Sequence, residues 1–318
     1  MTARCTDEEF MALWERNPSA TAMAKILGVD SRNIQQRRKR IEQRHGVILA
    51  SPDKRSPTFK VTIPQNGVRV GVEVQDGVIV VGSDAHYWPG IISTAHRAFV
   101  KIIEELKPQM VVMNGDAFDG AKISRHPVSG FEARPSVKQE LEAVTDRLAE
   151  IENVAGAAKL HWTWGNHDLR FNSRIAQLVP EYEGVTGFDL THHFPRWKFS
   201  TSIMVNGDLM IKHRWHSGIH ATYNNVLKAG TSMVTGHLHA LGCRGFTDYR
   251  GTRYAVDTGT LADIWGDQFS YTEDSPRNHR SGFAILTIWN GKLMPPELCE
   301  VIDEESGTVV FRGSVIAV

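Results

Sequence analysis

Five short polar motifs, each placed where an apolar run ends, constrain the fold of this chain more than any other feature. Short apolar runs that stop at a glycine or a charged residue are typical of buried strands. In an α/β sheet, the loops that leave the carboxyl ends of strands converge on one ligand site. The sequence therefore predicts five strands whose loops share a single site. These strands span residues 78–81, 110–113, 160–164, 209–211 and 233–234.

The motifs supply the side chains that divalent metal ions prefer. Metals that activate water take oxygen and imidazole ligands and keep one position open. Two ions about 3.5–4 Å apart can hold both the attacking and the leaving oxygen of a phosphoryl displacement. An Asp carboxylate can bridge two such ions. The motifs are Ser83-Asp84-Ala85-His86, Gly115-Asp116-Ala117-Phe118-Asp119, Gly165-Asn166-His167-Asp168, Lys212-His213 and Gly236-His237-Leu238-His239.

In this order the motifs resemble the calcineurin-like metallophosphoesterase superfamily, which includes Ser/Thr phosphatases, cyclic-nucleotide phosphodiesterases and the nuclease of double-strand-break repair. The match runs from about Val78 to about Gly259. Each motif alone is weak, because such loops are also ordinary turns with a satisfied histidine. Their number and order carry the resemblance. It implies an α/β fold in which a two-sheet sandwich is flanked by helices, with the site at one sheet edge.

The resemblance further implies two divalent metal ions that share one carboxylate, Asp116. One ion is expected on Asp84, His86, Asp116 and His239, and the other on Asp116, Asn166, His213 and His237. We expect Mn²⁺ first, with iron or Zn²⁺ as alternatives, because mixed Asp, His and Asn ligands suit all three.

Three further residues acquire roles from the same resemblance. His167 is expected beside the leaving-group oxygen as general acid, oriented by Asp168. Asp119 is expected to accept the free N–H of a metal-bound imidazole. The fourth motif departs from the family pattern, since the chain there offers both His213 and His216. We favour His213 because it ends the strand directly, and His216 stays an alternative.

Three residues near the motifs are candidates for contact with the substrate. Arg170 can pair with a phosphate group, and Trp88 can stack on a base. His126, in a loop after the second motif, is the third candidate. Each has an ordinary alternative, because Arg170 fits a helix surface, His126 a loop and Trp88 the core.

The N-terminal segment carries the charge asymmetry of a chain whose net charge is zero. Residues 1–60 contain 12 Lys and Arg against 7 Asp and Glu, which leaves this segment at +5. Helices are expected over residues 7–16, 20–27 and from about residue 31, with caps at Thr6, Ser19 and Asp30 or Ser31. This spacing resembles a helix-turn-helix, and the run of Arg37, Arg38, Lys39 and Arg40 falls on its recognition helix. Such a unit is expected to bind DNA, and docking or oligomerisation is the alternative.

The remaining features complete the domain organisation. We expect a helix-turn-helix-like domain over 1–50, a linker with leading strands (58–63, 68–74) over 51–75, and a metallophosphoesterase domain over 76–318. Helices are expected at 93–106, 136–154 and 172–178, and C-terminal strands at 282–288, near Leu298 and at 308–311, with a turn at Asn290-Gly291. No apolar run approaches 18 residues, the start is not typical of a signal peptide, and Cys5, Cys243 and Cys299 are widely spaced. A cytoplasmic protein with free thiols and no membrane contact is expected.

These features favour a metal-dependent phosphodiesterase or nuclease that acts on DNA or nucleotides through a metal-bound hydroxide. The basic N-terminal segment shifts the expected substrate towards nucleic acid. Two alternatives stay open. One is a phosphomonoesterase acting on proteins or small molecules, since the motifs fix the chemistry and not the substrate. The other is a non-catalytic DNA-binding protein, against which the intact ligand set argues.

Overall fold

In the computed structural model, which describes residues 5–49, 69–125, 134–272, 275 and 277–318, the chain divides into two units, Met1–Pro64 and Gln65–Val318. The first unit contains α1 (Asp7–Arg16), α2 (Ala20–Leu27) and α3 (Ser31–His45). The side chains of Thr6, Ser19 and Asp30 cap these helices at their first turns. The three helices predicted from the sequence are confirmed, and Asp30 is the third cap.

The helices of the first unit pack around a small apolar core. It consists of Phe10, Trp14, Met23, Ile34, Ile41 and Leu49. Ile34 and Ile41 lie two helical turns apart on α3, so this helix presents one narrow apolar stripe to the core.

Two arginines of the basic run belong to this packing. Arg37 donates to the carbonyl of Cys5 (2.5 Å) and lies 5.0 Å from the ring centre of Phe10. Arg38 lies 5.3 Å from the ring centre of Trp14. Lys39 and Arg40 are exposed. The basic run is therefore divided between contacts that hold α3 against α1 and charges that face solvent.

The second unit contains four helices among its described residues, α4 (Thr94–Leu106), α5 (Val137–Val154), α6 (Asp168–Leu178) and α7 (Ala221–Ala229). Short 3-10 helices lie at Ala121–Ile123, Pro180–Tyr182, Leu190–His193 and Asp267–Thr272. The strands are β1 (Arg69–Val72), β2 (Gly77–Gly82), β3 (Met110–Met113), β4 (Lys159–Thr163), β5 (Lys198–Ser200), β6 (Ser202–Val205), β7 (Leu209–Ile211), β8 (Ser232–Thr235), β9 (Gly242–Asp248), β10 (Gly251–Asp257), β11 (Gly282–Trp289), β12 (Lys292–Leu293), β13 (Glu297–Asp303), β14 (Thr308–Phe311) and β15 (Ser314–Ala317).

The strands form two sheets. One has six strands in the order β1-β6-β7-β8-β10-β9, and the other runs β15-β14-β13-β11-β2-β3-β4-β5, with β12 paired to β11. Within the larger sheet β2, β3, β4 and β5 are parallel, and within the smaller sheet β7, β8 and β10 are parallel. Parallel strands bring their carboxyl ends to the same edge.

Alternating side chains of the larger sheet face two different cores, because successive residues of a strand point to opposite faces. On β2, Ile79 and Val81 pack with Ile211 and Val234 of the smaller sheet. Val80, between them, packs in a second core that includes residues of α4 and α5. The predicted fold class, two sheets flanked by helices with a small helical N-terminal unit, is confirmed.

Most predicted elements lie within two residues of their predicted bounds, and the exceptions have local causes. Helix α6 begins at Asp168 and not at residue 172, because the third motif itself forms the first turn. The strands β5, β6, β9, β10 and β15 and the helix α7 were not predicted. The predicted strand at 58–63 lies outside the described residues. In the described part of the chain, no helix combines the length and apolarity that a membrane crossing needs.

One buried histidine makes the stability of the second unit depend on pH. His96 is 1% exposed, between the Tyr87 hydroxyl (3.0 Å) and the Glu150 carboxylate (2.8 Å). Burial lowers the pKa of His96 from 6.5 to about 4, although Glu150 opposes the shift. The unfolded chain therefore binds this proton at a higher pH than the folded chain, and stability is lost as pH falls from about 6.5 towards 4. The change is at most about 1.4 kcal/mol per pH unit for one proton.

We expect His96→Gln to flatten the fall in unfolding free energy between pH 6.5 and 4 by up to this amount. Urea unfolding, followed by hydrogen exchange in α4, measures it. The exposed His220→Gln is the control and should keep the wild-type slope. An unchanged slope in His96→Gln would show that His96 carries no such pH dependence.

Candidate metal centre

The five motifs meet where the carboxyl ends of strands from the two sheets lie side by side. The first three follow β2, β3 and β4 of the larger sheet, and the last two follow β7 and β8 of the smaller sheet. Backbone hydrogen bonds join neighbouring motifs: Asp84 N donates to Gly115 O (2.9 Å) and Gly236 N to His213 O (2.8 Å). The convergence expected from the sequence is thus present, but it joins two sheets and not one.

Six of the predicted ligands form two clusters, and in each cluster the potential ligand atoms lie within 4.8 Å of one another. Asp84, His86 and His239 form the first cluster, and Asp116, His213 and His237 the second. His86 and Asp116 also lie this close to His167, the predicted general acid. The clusters adjoin, because His213 Nε2 is 3.0 Å from Asp116 Oδ2 and 4.0 Å from Asp84 Oδ1. Two neighbouring cations fit this arrangement.

Buried polar atoms without hydrogen-bond partners support the presence of cations there. Among the described residues, Asn166 Oδ1, His86 Nε2 and His239 Nδ1 are buried and make no hydrogen bond. Such atoms are costly unless a ligand satisfies them. All three belong to predicted ligands, so the side chains present fit a two-metal centre.

The surroundings of His213 require a positive charge. Its Nδ1 donates to Asn114 O (2.8 Å), which turns Nε2 towards the two buried carboxylates. Burial alone would lower the pKa of His213, but Asp116 and Asp84 outweigh it and raise this pKa to about 10. A proton or a metal ion must therefore compensate these carboxylates. His216, the alternative ligand, belongs to neither cluster, and its ring packs on Trp215.

The backbone of the centre is held in an unusual conformation. Among the described residues, nine that are not glycine have positive φ, and five of these are predicted ligands. Such angles cost about 1–3 kcal/mol each and cluster at functional sites. The five are Asp84, His86, Asp116, His237 and His239.

The motif glycines Gly165 and Gly236, like Gly115, have no room for a side chain. A Cβ at Gly165 would overlap the backbone N and the Oδ1 of Asp116, and a Cβ at Gly236 would overlap Asp84 Oδ2 and Ser83 Oγ. Glycine is thus needed at both positions, because the carboxylates of two predicted metal ligands pack directly on them.

The prediction that Asp168 orients the His167 ring is wrong. Asp168 accepts from the backbone of Asp116, Gly165 and Phe118 and from the Trp162 indole, at 2.9–3.1 Å. These four donors occupy the carboxylate, and the His167 ring contacts Asp119 and Arg170 instead. Burial and the nearby Asp116 raise the pKa of Asp168 to about 6. Asp168 is therefore a support for the loops of the centre.

Asp119 is the carboxylate that contacts His167. Its Oδ1 accepts from His167 Nδ1 and from His86 Nδ1, both at 2.8 Å. Burial would raise the pKa of Asp119, but the two imidazoles hold it well below its usual range. The contact with His86 is the one expected of a carboxylate behind a metal ligand.

The three predicted substrate contacts have different surroundings. Arg170 donates to Asp119 O (2.8 Å) and lies 3.1 Å from His167 Nε2, so it borders the centre. Trp88 is half-buried. His126 lies outside the described residues.

Sequence reasoning missed several neighbours of the centre. The ring of Phe269 lies 5.5 Å from that of His86 and 5.1 Å from that of His239, and the His279 ring lies 4.6 Å from that of His239. Glu140 of α5 accepts from Gly120 N (2.6 Å) and Ala121 N (2.9 Å), which fixes the loop after Asp119. These residues are far from the motifs in sequence, so no local pattern indicates them.

Two clefts differ in their relation to the centre. A cleft of about 720 Å³ lies beside the starts of β3 and β4, and no predicted ligand lines it. A cleft of about 360 Å³ is lined by Asn166 and Arg170. The second cleft is the one that opens on the metal centre.

Fold and centre together define a metallophosphoesterase, and comparison with known proteins gives the family. The family model of the calcineurin-like phosphoesterases matches residues 77–259, more than half of the chain. The chain belongs to this family. It is also similar to the Gene 54 protein of Mycobacterium phage L5, with 25% identity over 224 residues that cover 65% of this chain and 87% of that protein. The Gene 54 protein of Mycobacterium phage D29 is 26% identical over 228 residues, with the same coverage of both.

Solved structures give a weaker likeness. A dimetal phosphatase from Danio rerio is 12% identical, with a TM-score of 0.36 over 71% of this chain and 96% of that one. A phosphoesterase from E. coli is 16% identical, with a TM-score of 0.32 over 69% and 97%. The family assignment therefore depends on the family model and not on these structures.

The packing of Gly165 against Asp116 leads to a test of the centre. We expect Gly165→Ala to lose bound metal, because the added methyl group displaces Asp116, the carboxylate predicted to bridge the two ions. Elemental analysis of purified protein, with about two ions per wild-type chain, measures this. Gly71→Ala is the matched control, since open space surrounds that position. Wild-type metal content in folded Gly165→Ala would contradict the bridging role of Asp116.

Proposed function

We propose that this protein is a metal-dependent phosphodiesterase that acts on nucleic acid or nucleotides. The observation that most supports this is the paired set of buried metal-ligand clusters with His167 and Arg170 beside them. Divalent ions bound there, Mn²⁺ in our proposal, would activate water and neutralise charge on the phosphate. The three free cysteines are compatible with the reducing cytoplasm, which we propose as its location.

His167 and Arg170 act together in the proposed reaction. Burial would lower the pKa of His167, but the carboxylates of Asp116 and Asp119 outweigh it and raise this pKa. Arg170 contacts His167 Nε2 at 3.1 Å. When a substrate phosphate binds the Arg170 guanidinium, Arg170 no longer contacts His167 Nε2, and this nitrogen can then carry a proton. That proton then passes to the leaving-group oxygen, while Asp119 keeps the ring oriented through Nδ1.

The proposal predicts a substrate-dependent effect of His167→Ala. A general acid contributes about 10²–10⁴ in rate, and less where the leaving group needs no proton. We expect His167→Ala to slow cleavage of an unactivated DNA diester more than cleavage of bis-p-nitrophenyl phosphate, at wild-type metal content. Asp116→Asn is the comparison, and it should lose both activities together with metal. Equal losses in His167→Ala, with reduced metal content, would make His167 a ligand.

One assay distinguishes the three functions considered for the chain. Purified protein with Mn²⁺ is tested on bis-p-nitrophenyl phosphate, p-nitrophenyl phosphate and linear single- and double-stranded DNA. We expect hydrolysis of the diester and of DNA to exceed that of the monoester. Preference for the monoester would favour a phosphomonoesterase, and no hydrolysis by the two-metal protein would favour a non-catalytic DNA-binding protein.

The N-terminal unit supports the choice of nucleic acid as substrate, and we infer that it binds DNA as a helix-turn-helix. Residues 32, 36, 39 and 40 of α3 are exposed, and their spacing places them on one face, opposite Ile34 and Ile41. The cationic members of this face suit phosphate groups, and Gln36 suits a base edge. The sequence predicted that Arg37 and Arg38 would also contact DNA, but both side chains contact aromatic rings of α1. We therefore propose Arg32, with Lys39 and Arg40, as the DNA-contacting cations.

This inference predicts a change in salt dependence. DNA affinity falls with salt by a log–log slope of about 0.9 per phosphate contact. We expect Lys39→Ala with Arg40→Ala, in the full chain, to reduce that slope by about one to two, measured by fluorescence anisotropy on duplex DNA. Lys228→Ala on α7 is the control. An unchanged slope would leave the unit as a docking or oligomerisation element.

A further inference from the structure

The cleft beside the metal centre is strongly cationic. It is lined by four arginines, Arg125, Arg170, Arg174 and Arg214, and by no carboxylate among the described residues. Its volume is about 360 Å³, and Asn166, a predicted metal ligand, lies in its wall. The cleft is thus continuous with the place where the scissile phosphate is expected.

Among the described residues, three of these arginines have no carboxylate partner. Arg125, Arg174 and Arg214 are exposed, and within the described part of the chain none forms an ion pair with a carboxylate. By contrast, Arg170 contacts both Asp119 and His167. Unpaired cations that share one cleft repel one another, and a bound anion removes this cost.

The geometry of α6 gives the cleft a direction. Helix α6 begins at the third motif, and its residues 170, 173, 174 and 177 line the cleft, at the spacing of one helix face. Arg174 lies one turn beyond Arg170, which is about 6 Å further along the axis from the metal centre. Arginine suits phosphate because its planar fork donates two parallel hydrogen bonds.

We propose that Arg174 and Arg214, with Arg125 beside them, form a subsite for a second phosphate group of the substrate, next to the phosphate that is hydrolysed. This subsite rests on the proposed function and deepens it. The substrate then carries at least two phosphate groups, as a nucleic-acid strand or a nucleoside polyphosphate does. A substrate with one phosphate reaches the metal centre without occupying the subsite.

The subsite is tested by binding, so that the result does not depend on turnover. Fluorescein-labelled hexathymidylate is titrated with full-length protein in EDTA over a range of salt concentrations. We expect Arg174→Gln with Arg214→Gln to weaken binding about tenfold and to lower the salt slope by about 0.7 for each phosphate group that the variant no longer neutralises. Arg244→Gln, an exposed arginine on β9, is the matched control and should bind as wild type does. Binding by the double variant within twofold of this control would overturn the subsite.

Two further arms identify the source of the phosphate and separate this proposal from the previous one. Competition by thymidine triphosphate that weakens in the double variant supports a nucleoside polyphosphate as the source, and competition that does not change supports a strand. With Mn²⁺, the ratio of kcat/KM on the hexanucleotide to that on bis-p-nitrophenyl phosphate should fall about tenfold in the double variant. If the double variant is active and this kcat/KM ratio is unchanged, the subsite is refuted and the proposed function is not. Absence of all diester hydrolysis would refute the proposed function, while the binding result still decides the subsite.

Discussion

The buried carboxylate of Asp168 is the interaction on which the centre depends. It accepts four N–H donors, from the backbone of the second motif, the backbone of its own motif and the indole of Trp162 on β4. A buried carboxylate is tolerated where several donors satisfy it, and removal of one partner leaves a costly charge. Because two of the donors are the backbone N–H groups of Asp116 and Phe118, Asp168 fixes the backbone that presents the Asp116 carboxylate to the centre.

A second layer of contacts gives the imidazoles their directions. Asn114 O accepts from His213 Nδ1, and Asp119 accepts from both His86 and His167. The opposite ring nitrogen is thereby aimed at the carboxylates of Asp84 and Asp116 in His213, and at Arg170 in His167. The ligands are therefore preorganised by the protein, and the strained backbone at five of them is balanced by these contacts.

Local patterns predict much of this fold, because caps and apolar runs act within a few residues. Helix α1 and strands β3, β7 and β14 begin and end at the predicted residues. The pair β9 and β10 was missed because its exposed strand, with Arg244 and Gly245, has no apolar alternation. The position of His213 could be predicted, since it follows the apolar run of β7 by two residues. The role of Asp168 could not, because its donors come from β4 and the second motif through tertiary contact. The contacts of Arg37 and Arg38 with α1 could not be predicted for the same reason, because they depend on the packing of α3 against α1.

The two clusters of predicted ligands each draw residues from both sheets. Asp84 and His86 follow β2 of the larger sheet, whereas His239, their partner, follows β8 of the smaller one. The ends of this cluster are 155 residues apart in the chain, and Asp116 is joined in the same way to His213 and His237. Contacts so distant in sequence form late in folding, because the loops between them must close first. Neither sheet alone supplies all three members of either cluster, so we expect these two clusters to be complete only after the two sheets have come together.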